Sequence, residues 1–289
     1  MKIFTLVVCF TLFVSSLDKA LAAPLWDNSA YKGDDYLLGT IHIGDQRLQR
    51  LPDSIIEAID NVDVVVLETD LRSVTQLEQQ QVVMQLGFLP AGVSLKDMVS
   101  PEVYSRVRQY LMVNGVAIEN MHQFKPWMLA LTMVQMSYAK QGFDAARGVD
   151  QQVLAYAVEK GKKIIGLESY KEQMGFFNLL FEQNPHLTAD DLLLDTLNEL
   201  EQYADLPDVM IRAWIEGDMS KFESIYKKTL DTNEFDRAAE KILLSERNLN
   251  WAPKLEKLFK NNSVLVAVGT LHFTGPNDLK RLLNVPFSR

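Results

Sequence analysis

Two of the four histidines in this chain sit in the same phrase, Gly39-Thr40-Ile41-His42 near one end and Gly269-Thr270-Leu271-His272 near the other. Each phrase follows an apolar run, Tyr36-Leu37-Leu38 or Val264-Leu265-Val266-Ala267-Val268, that reads as a buried strand. Two glutamates are repeated in the same manner. Val64-Val65-Val66-Leu67-Glu68-Thr69 and Ile164-Ile165-Gly166-Leu167-Glu168-Ser169 are apolar runs that end in Leu-Glu-Thr/Ser. An unpaired charge is expensive to bury, so a glutamate ending an apolar strand is either solvated or recruited to a site. In open α/β sheets, sites form beyond the carboxyl ends of the strands. His42, Glu68, Glu168 and His272 therefore converge if their strands run parallel.

Two imidazoles with one or two carboxylates form a ligand set for a divalent transition metal. Imidazole suits zinc, iron, copper and nickel, and added carboxylates widen the choice towards manganese. A metal with an open position acidifies a bound water, and a spare glutamate takes the proton. The same residues allow a route without metal, with a histidine as general base oriented by a carboxylate. The plainest alternative is that these residues only cap strands and bond loop backbone. The doubling of both patterns favours a shared site.

Arg147-Gly148-Val149-Asp150 precedes a helix, where Asp150 suits the N-cap. Arg147 can bind a substrate carboxylate or pair with a strand-end glutamate, and Arg247 in Glu246-Arg247-Asn248 can do the same. Arg147, Asp150 and Asn248 are the expected substrate-binding residues. His122 before Pro126 and His186 after Pro185 read as ordinary surface residues. His-Glu-x-x-His, a phosphate-binding glycine loop and a nucleophile elbow are all missing from the sequence.

Three αβ units position the strand ends: strand 36–43, helix 52–61 and strand 62–67; helix 149–161 and strand 163–167; strand 263–268 and a short helix 277–283. Continuous Val/Ile/Leu runs, rather than alternating ones, indicate strands covered on both faces. Helical patterns fill the rest, at 74–86, 101–114 and 126–140, then 170–182, 189–203, 206–217, 221–230 and 235–260. Residues 127–138 are apolar almost all round, which places that helix centrally. The expected fold is α/β, a mixed, largely parallel sheet with large helical insertions.

Composition narrows the setting. Lys2, the apolar stretch 3–17 and Ala20-Leu21-Ala22 make a signal peptide with cleavage after Ala22. The stretch is short for a membrane span, which needs about 20 residues, so no stable span is expected after cleavage. Cleavage removes Cys9, the only cysteine of 289 residues, and with it disulfide and thiol chemistry. Loss of Lys2, Lys19 and Asp18 from 29 basic and 38 acidic residues leaves a formal charge of −10. That excess argues against nucleic acid and anionic membranes as partners. A periplasmic or secreted protein with one domain over 23–289 is expected, acting on a peptide or small molecule.

The chain resembles the TraB/GumN family, whose wider group includes the Tiki-type proteins. Leu38-Gly39-Thr40-Ile41-His42, Val65-Val66-Leu67-Glu68-Thr69-Asp70, Arg147-Gly148-Val149-Asp150, Leu167-Glu168, Glu246-Arg247-Asn248 and Val266-Ala267-Val268-Gly269-Thr270-Leu271-His272 carry the resemblance, in order. It implies a core related to the erythromycin-esterase and ChaN-like folds. It further implies a metalloprotease using manganese or cobalt, with zinc or iron as alternatives. His42 and His272 would then lie in the metal site with Glu68 as ligand or base, and Glu168, Arg147 and Arg247 would support them. The competing expectations are a non-catalytic binding protein for a peptide or haem-like ligand, and a metal-free esterase with His42 as base.

Overall fold

The structure, a computed structural model, describes residues 23–28 and 34–289. The expected signal peptide and its cleavage site lie outside the described residues. Five strands, β1 Leu25–Asp27, β2 Tyr36–Thr40, β3 Val64–Thr69, β4 Lys163–Glu168 and β5 Val264–Gly269, form one sheet in the order β1-β2-β5-β3-β4. β1 pairs antiparallel with β2, and every other pairing is parallel. The mixed, largely parallel α/β sheet expected from the apolar runs is therefore present. β1 was not anticipated, because a three-residue strand is too short to show a period.

The helices in chain order are α1 Asp53–Asn61, α2 Gln76–Gly87, α3 Leu95–Met98, α4 Pro101–Val113, α5 Pro126–Lys140, α6 Val149–Glu159, α7 Tyr170–Gln183, α8 Ala189–Gln202, α9 Leu206–Glu216, α10 Met219–Thr232, α11 Glu234–Glu240, α12 Glu246–Phe259 and α13 Leu279–Leu282. Their starts are written locally. Pro101 and Pro126 open α4 and α5, where a missing N–H costs nothing. Thr75 with Glu78, and Ser169 with Glu172, close reciprocal capping boxes on α2 and α7. The Ser169 cap directly follows Glu168 and pins that glutamate at the strand-to-helix corner.

Alternate residues of the central strands serve opposite cores, as the two-residue period requires. Val65, Leu67, Leu265 and Ala267 pack on one face with Ile55 and Ile59 of α1, Val153 of α6 and Trp214 of α9. Val64, Val66, Val264 and Val266 pack on the other with Trp251, Leu255 and Phe259 of α12. Burial of each such side chain stabilises by about 1.5–3 kcal/mol. A third core joins α4, α5 and α8 through Leu111, Leu129, Met133 and Leu193. The apolar-all-round α5 lies here, in the helical layer, rather than against the sheet.

The helix expected over 235–260 runs continuously over 234–259, with one turn widened. A π-helical turn, Lys241–Ser245, separates α11 from α12. Glu240 Oε1 accepts from Tyr226 Oη at 2.9 Å and from Ser245 Oγ at 2.6 Å, tying the widened turn to α10. The turn carries Arg247 and Asn248 in against the strand ends, and both are buried.

Candidate functional site

β2 and β5 stop at their Gly-Thr pairs, and the chain turns so that each histidine lies just past a strand end. The two phrases touch: Thr270 Oγ1 donates to the Thr40 carbonyl at 2.9 Å. Glu68 projects from the end of β3, which neighbours β5. His272 Nε2 lies 3.7 Å from Glu68 Oε1, and His42 Nε2 lies 4.0 Å from the same oxygen. Gly269 makes this approach feasible. A Cβ there would stand 3.2 Å from Glu68 Oε1, 3.7 Å from His272 Cδ2 and 3.8 Å from His42 Nε2. Its own N–H donates to Glu68 Oε1 at 2.8 Å.

The other ring nitrogens face away from that oxygen. His272 Nδ1 is 2.7 Å from Asn248 Oδ1, while the Asn248 amide donates to the carbonyls of His272 and Asn277. With its NH₂ so committed, Asn248 has only an acceptor left for His272, which places the ring proton on Nδ1 and a lone pair on Nε2. His42 Nδ1 is 3.3 Å from Asp150 Oδ2. Gly148 allows that loop to close, since a Cβ there would lie 2.6 Å from Asp150 Oδ1 and 2.9 Å from the His42 carbonyl oxygen.

Arg247 spans both glutamates. Its Nη2 donates to Glu68 Oε2 at 2.6 Å, its Nε to Glu168 Oε1 at 2.9 Å, and its Nη1 lies 3.3 Å from His272 Nε2. The guanidinium also stands 4.6 Å from the ring centre of Trp251, whose indole N–H donates to Glu168 Oε1 at 3.0 Å. Gln173 donates to Glu68 Oε2 at 3.1 Å.

These contacts set the charges. Burial works against ionised Glu68, but His272, Arg247 and His42 together hold its carboxyl far below the usual range. Burial pushes His272 down to about 3, with Arg247 adding to the effect, so the ring is neutral. Burial also opposes charge on His42, yet its contact with Asp150 and the field of Glu68 prevail and push it up to about 9. The His42 side chain is 62% exposed, so water shares in supporting that charge. Burial raises Glu168, and Arg247 offsets part of the rise.

Of the expected residues, His42, Glu68, His272 and Arg247 line one cleft of about 530 Å³. Glu168 does not line it. Its oxygens are engaged by Arg247 and Trp251, which makes it a partner of that guanidinium in this structure. Asp150 is not the N-cap of α6; Gly148 occupies that position, and the carboxylate turns to His42 instead. Asn248, buried and committed to His272 and Asn277, positions a ring rather than a substrate. Arg147 is exposed beside Asp45 and Asp144, outside the cleft. His122 is half-buried against Tyr104 Oη at 2.7 Å, and His186 pairs with Glu234 at the surface. Trp251 and Gln173 were not anticipated. Trp251 carries a signal, falling one helical turn after Arg247 on the same face.

The sequence profile of the TraB/PrgY/gumN family matches residues 24–285. The chain belongs to that family. It is 25% identical to an uncharacterized protein of Escherichia coli strain K12, YbaP, over 248 residues, covering 86% of this chain and 87% of that one. The Shigella flexneri protein of the same name matches equally. An uncharacterized protein of Treponema pallidum strain Nichols is 20% identical over 266 residues, covering 88% of this chain and 78% of its own. No solved structure matches.

Two imidazoles and a carboxylate oxygen suit a divalent ion in kind once His42 gives up the proton it holds in the metal-free protein, and the nitrogens behind them are tied back as ligating histidines require. The two separations to Glu68 Oε1, 4.0 and 3.7 Å, are within the ~4.2 Å that ligands at 2.0–2.2 Å from one ion can span. Among the described residues, no group of three or more His, Cys, Asp or Glu side chains already stands arranged to hold an ion. Arg247 Nη1 faces the lone pair of His272, so uptake of an ion requires that contact to open.

Proposed function

We propose that the protein is a secreted, metal-dependent hydrolase acting on peptide bonds. In this reading His42, His272 and Glu68 hold a divalent ion, with manganese or cobalt favoured by the resemblance and zinc or iron as alternatives. One observation carries the reading: two imidazole Nε2 atoms converge on a single carboxylate oxygen while both Nδ1 atoms are tied back. A bound ion would supply a water acidified for attack on a carbonyl carbon. Glu68 stays charged at working pH, so it holds positive charge rather than carrying a proton. Arg247 presents its own charge to the wall where a carbonyl oxygen gains negative charge. Thr40 Oγ1, buried without a protein partner among the described residues, lines the same wall and can donate there. Glu168 and Trp251 position Arg247.

The test begins with exported protein, whose first residue is expected to be Ala23. Stripped with chelator, it loses peptide hydrolysis and regains it with Mn²⁺ or Co²⁺. His42→Ala and His272→Ala each abolish metal uptake while circular dichroism stays unchanged. Collapse of the fold without any effect on uptake would mean that the histidines are purely structural. Ligand binding with no turnover under any metal would leave a binding protein. The Asp150–His42 pair facing the cleft favours a second reading, a metal-free esterase with His42 as base. Raised to about 9, that ring becomes a base only in alkali, so chelator-resistant activity climbing towards pH 9 is its signature.

A further inference from the structure

Behind the cleft lies a second cavity of about 140 Å³. Ala130, Leu131 and Val134 of α5, Leu192 of α8 and Ala239 of α11 line it. The Thr196 hydroxyl in its wall donates to the Leu192 carbonyl at 2.8 Å, and the Trp127 indole N–H donates to Asn178 Oδ1 at 3.1 Å. Its polar side chains are thus spent, and an apolar cavity of this size accepts a guest about the size of benzene. A void left empty costs stability.

Phe177 and Leu243 wall both the cleft and this cavity. Phe177 stacks on Trp127 with ring centres 5.0 Å apart. Leu243 lies in the π turn, and its carbonyl accepts from Arg247 Nη1 at 2.9 Å. π turns recur at functional sites. The charges of the cleft are confined to the strand ends and Arg247. Met174, Phe176, Met210, Leu244 and Leu271 make much of the remaining wall apolar.

We propose that this cavity is the specificity pocket of the cleft. It takes the apolar end of a bound substrate, a Phe-, Leu- or Met-sized side chain or a short acyl tail, entering between Phe177 and Leu243. The hydrolytic use rests on the function proposed above; the pocket itself does not. Sites of this kind pair an apolar enclosure with a few placed polar groups.

Benzene probes the pocket, and p-nitrophenyl acetate and hexanoate probe its use. Millimolar benzene should raise Tm saturably and shift the methyl resonances of Leu192 and Leu243. The hexanoate kcat/KM should exceed the acetate value at least tenfold. Ala239→Leu fills the cavity from α11, and should remove the benzene response and lower the hexanoate-to-acetate ratio at least tenfold. Leu243→Ala thins the partition and, as a second variant, should keep the benzene response and raise that ratio. Benzene binding without turnover of either ester or of peptide upholds the pocket and sinks the hydrolase reading. Turnover with no benzene response and equal kcat/KM for the two esters reduces the cavity to a packing void and overturns the proposal.

Discussion

Asp150 and Asn248 do the same work on two different rings, each engaging Nδ1 so that Nε2 faces Glu68. The charges of the two rings differ. The Asp150 carboxylate helps keep His42 protonated in the metal-free protein, whereas burial, with Arg247 adding to it, keeps His272 uncharged. A histidine raised in the folded state contributes stability fully below its unfolded pKa of about 6.5. That contribution is lost as pH rises through about 9. In the metal-free protein, Asp150→Asn is therefore expected to lower the His42 titration seen by NMR. It should also shrink the stability difference between pH 6 and pH 10 in urea melts. An unmoved titration would show that Asp150 is not what holds the charge. Arg247 is the other decisive residue, since it pairs with two buried carboxylates. Arg247→Ala removes the cation that Glu68 and Glu168 share and should cost about 3–5 kcal/mol, read from the denaturation midpoint. A cost under about 1 kcal/mol would mean that the carboxylates find water instead.

The elements deliver these residues by ending at the right places. β2 is held under α9 by Trp214, whose buried indole N–H donates to the Gly39 carbonyl at 2.7 Å. Trp214→Phe strands that carbonyl and is expected to cost about 1–3 kcal/mol in chemical denaturation. Gly269→Ala, at the end of β5, should keep the fold but weaken metal uptake at least tenfold, because its Cβ crowds Glu68 Oε1 at 3.2 Å. Unchanged affinity would show that the strand end yields easily. Where α8 meets α11, burial and mutual repulsion raise Glu199 to about 7 and Asp236 to about 6, and raise Asp195 as well. Raised carboxyl groups withdraw stability as pH climbs from ~4, where the unfolded chain ionises, through their folded values. Asp236→Asn should accordingly gain stability over the parent at pH 8 and gain little at pH 4. Equal gains at both would locate its effect elsewhere. The four strand ends were legible from sequence because apolar runs announce buried strands and a terminal glutamate interrupts them. The π turn was not, because residues 235–260 read equally as one regular α-helix, and the bonds found at the turn, from Tyr226 to Glu240 and from Asn277 to Ser245, are tertiary. The same limit applies to Asp150. Its residue type suits an N-cap, and only the fold of the Gly148 loop shows that it serves His42.

At the scale of the whole molecule the site lies where the sheet layer meets the helical layer. The ends of β2, β3 and β5 present His42, Glu68 and His272, while Gln135 of α5, Phe176 of α7 and Met210 of α9 line the same cleft. No helix among the described residues is long and apolar enough to cross a membrane. The cleft is small and mostly apolar, with its charge confined to the strand ends and Arg247. Everything functional then turns on whether His42, Glu68 and His272 act as one ligand set. The direct measurement is a titration of chelator-stripped protein with Co²⁺, followed by its visible absorption. One equivalent should bind saturably and give a protein-specific spectrum, which His272→Ala and Glu68→Gln each abolish while Glu199→Gln leaves it intact. A folded protein that gives no such spectrum at any Co²⁺ concentration, or one whose spectrum survives both substitutions, would contradict the assignment.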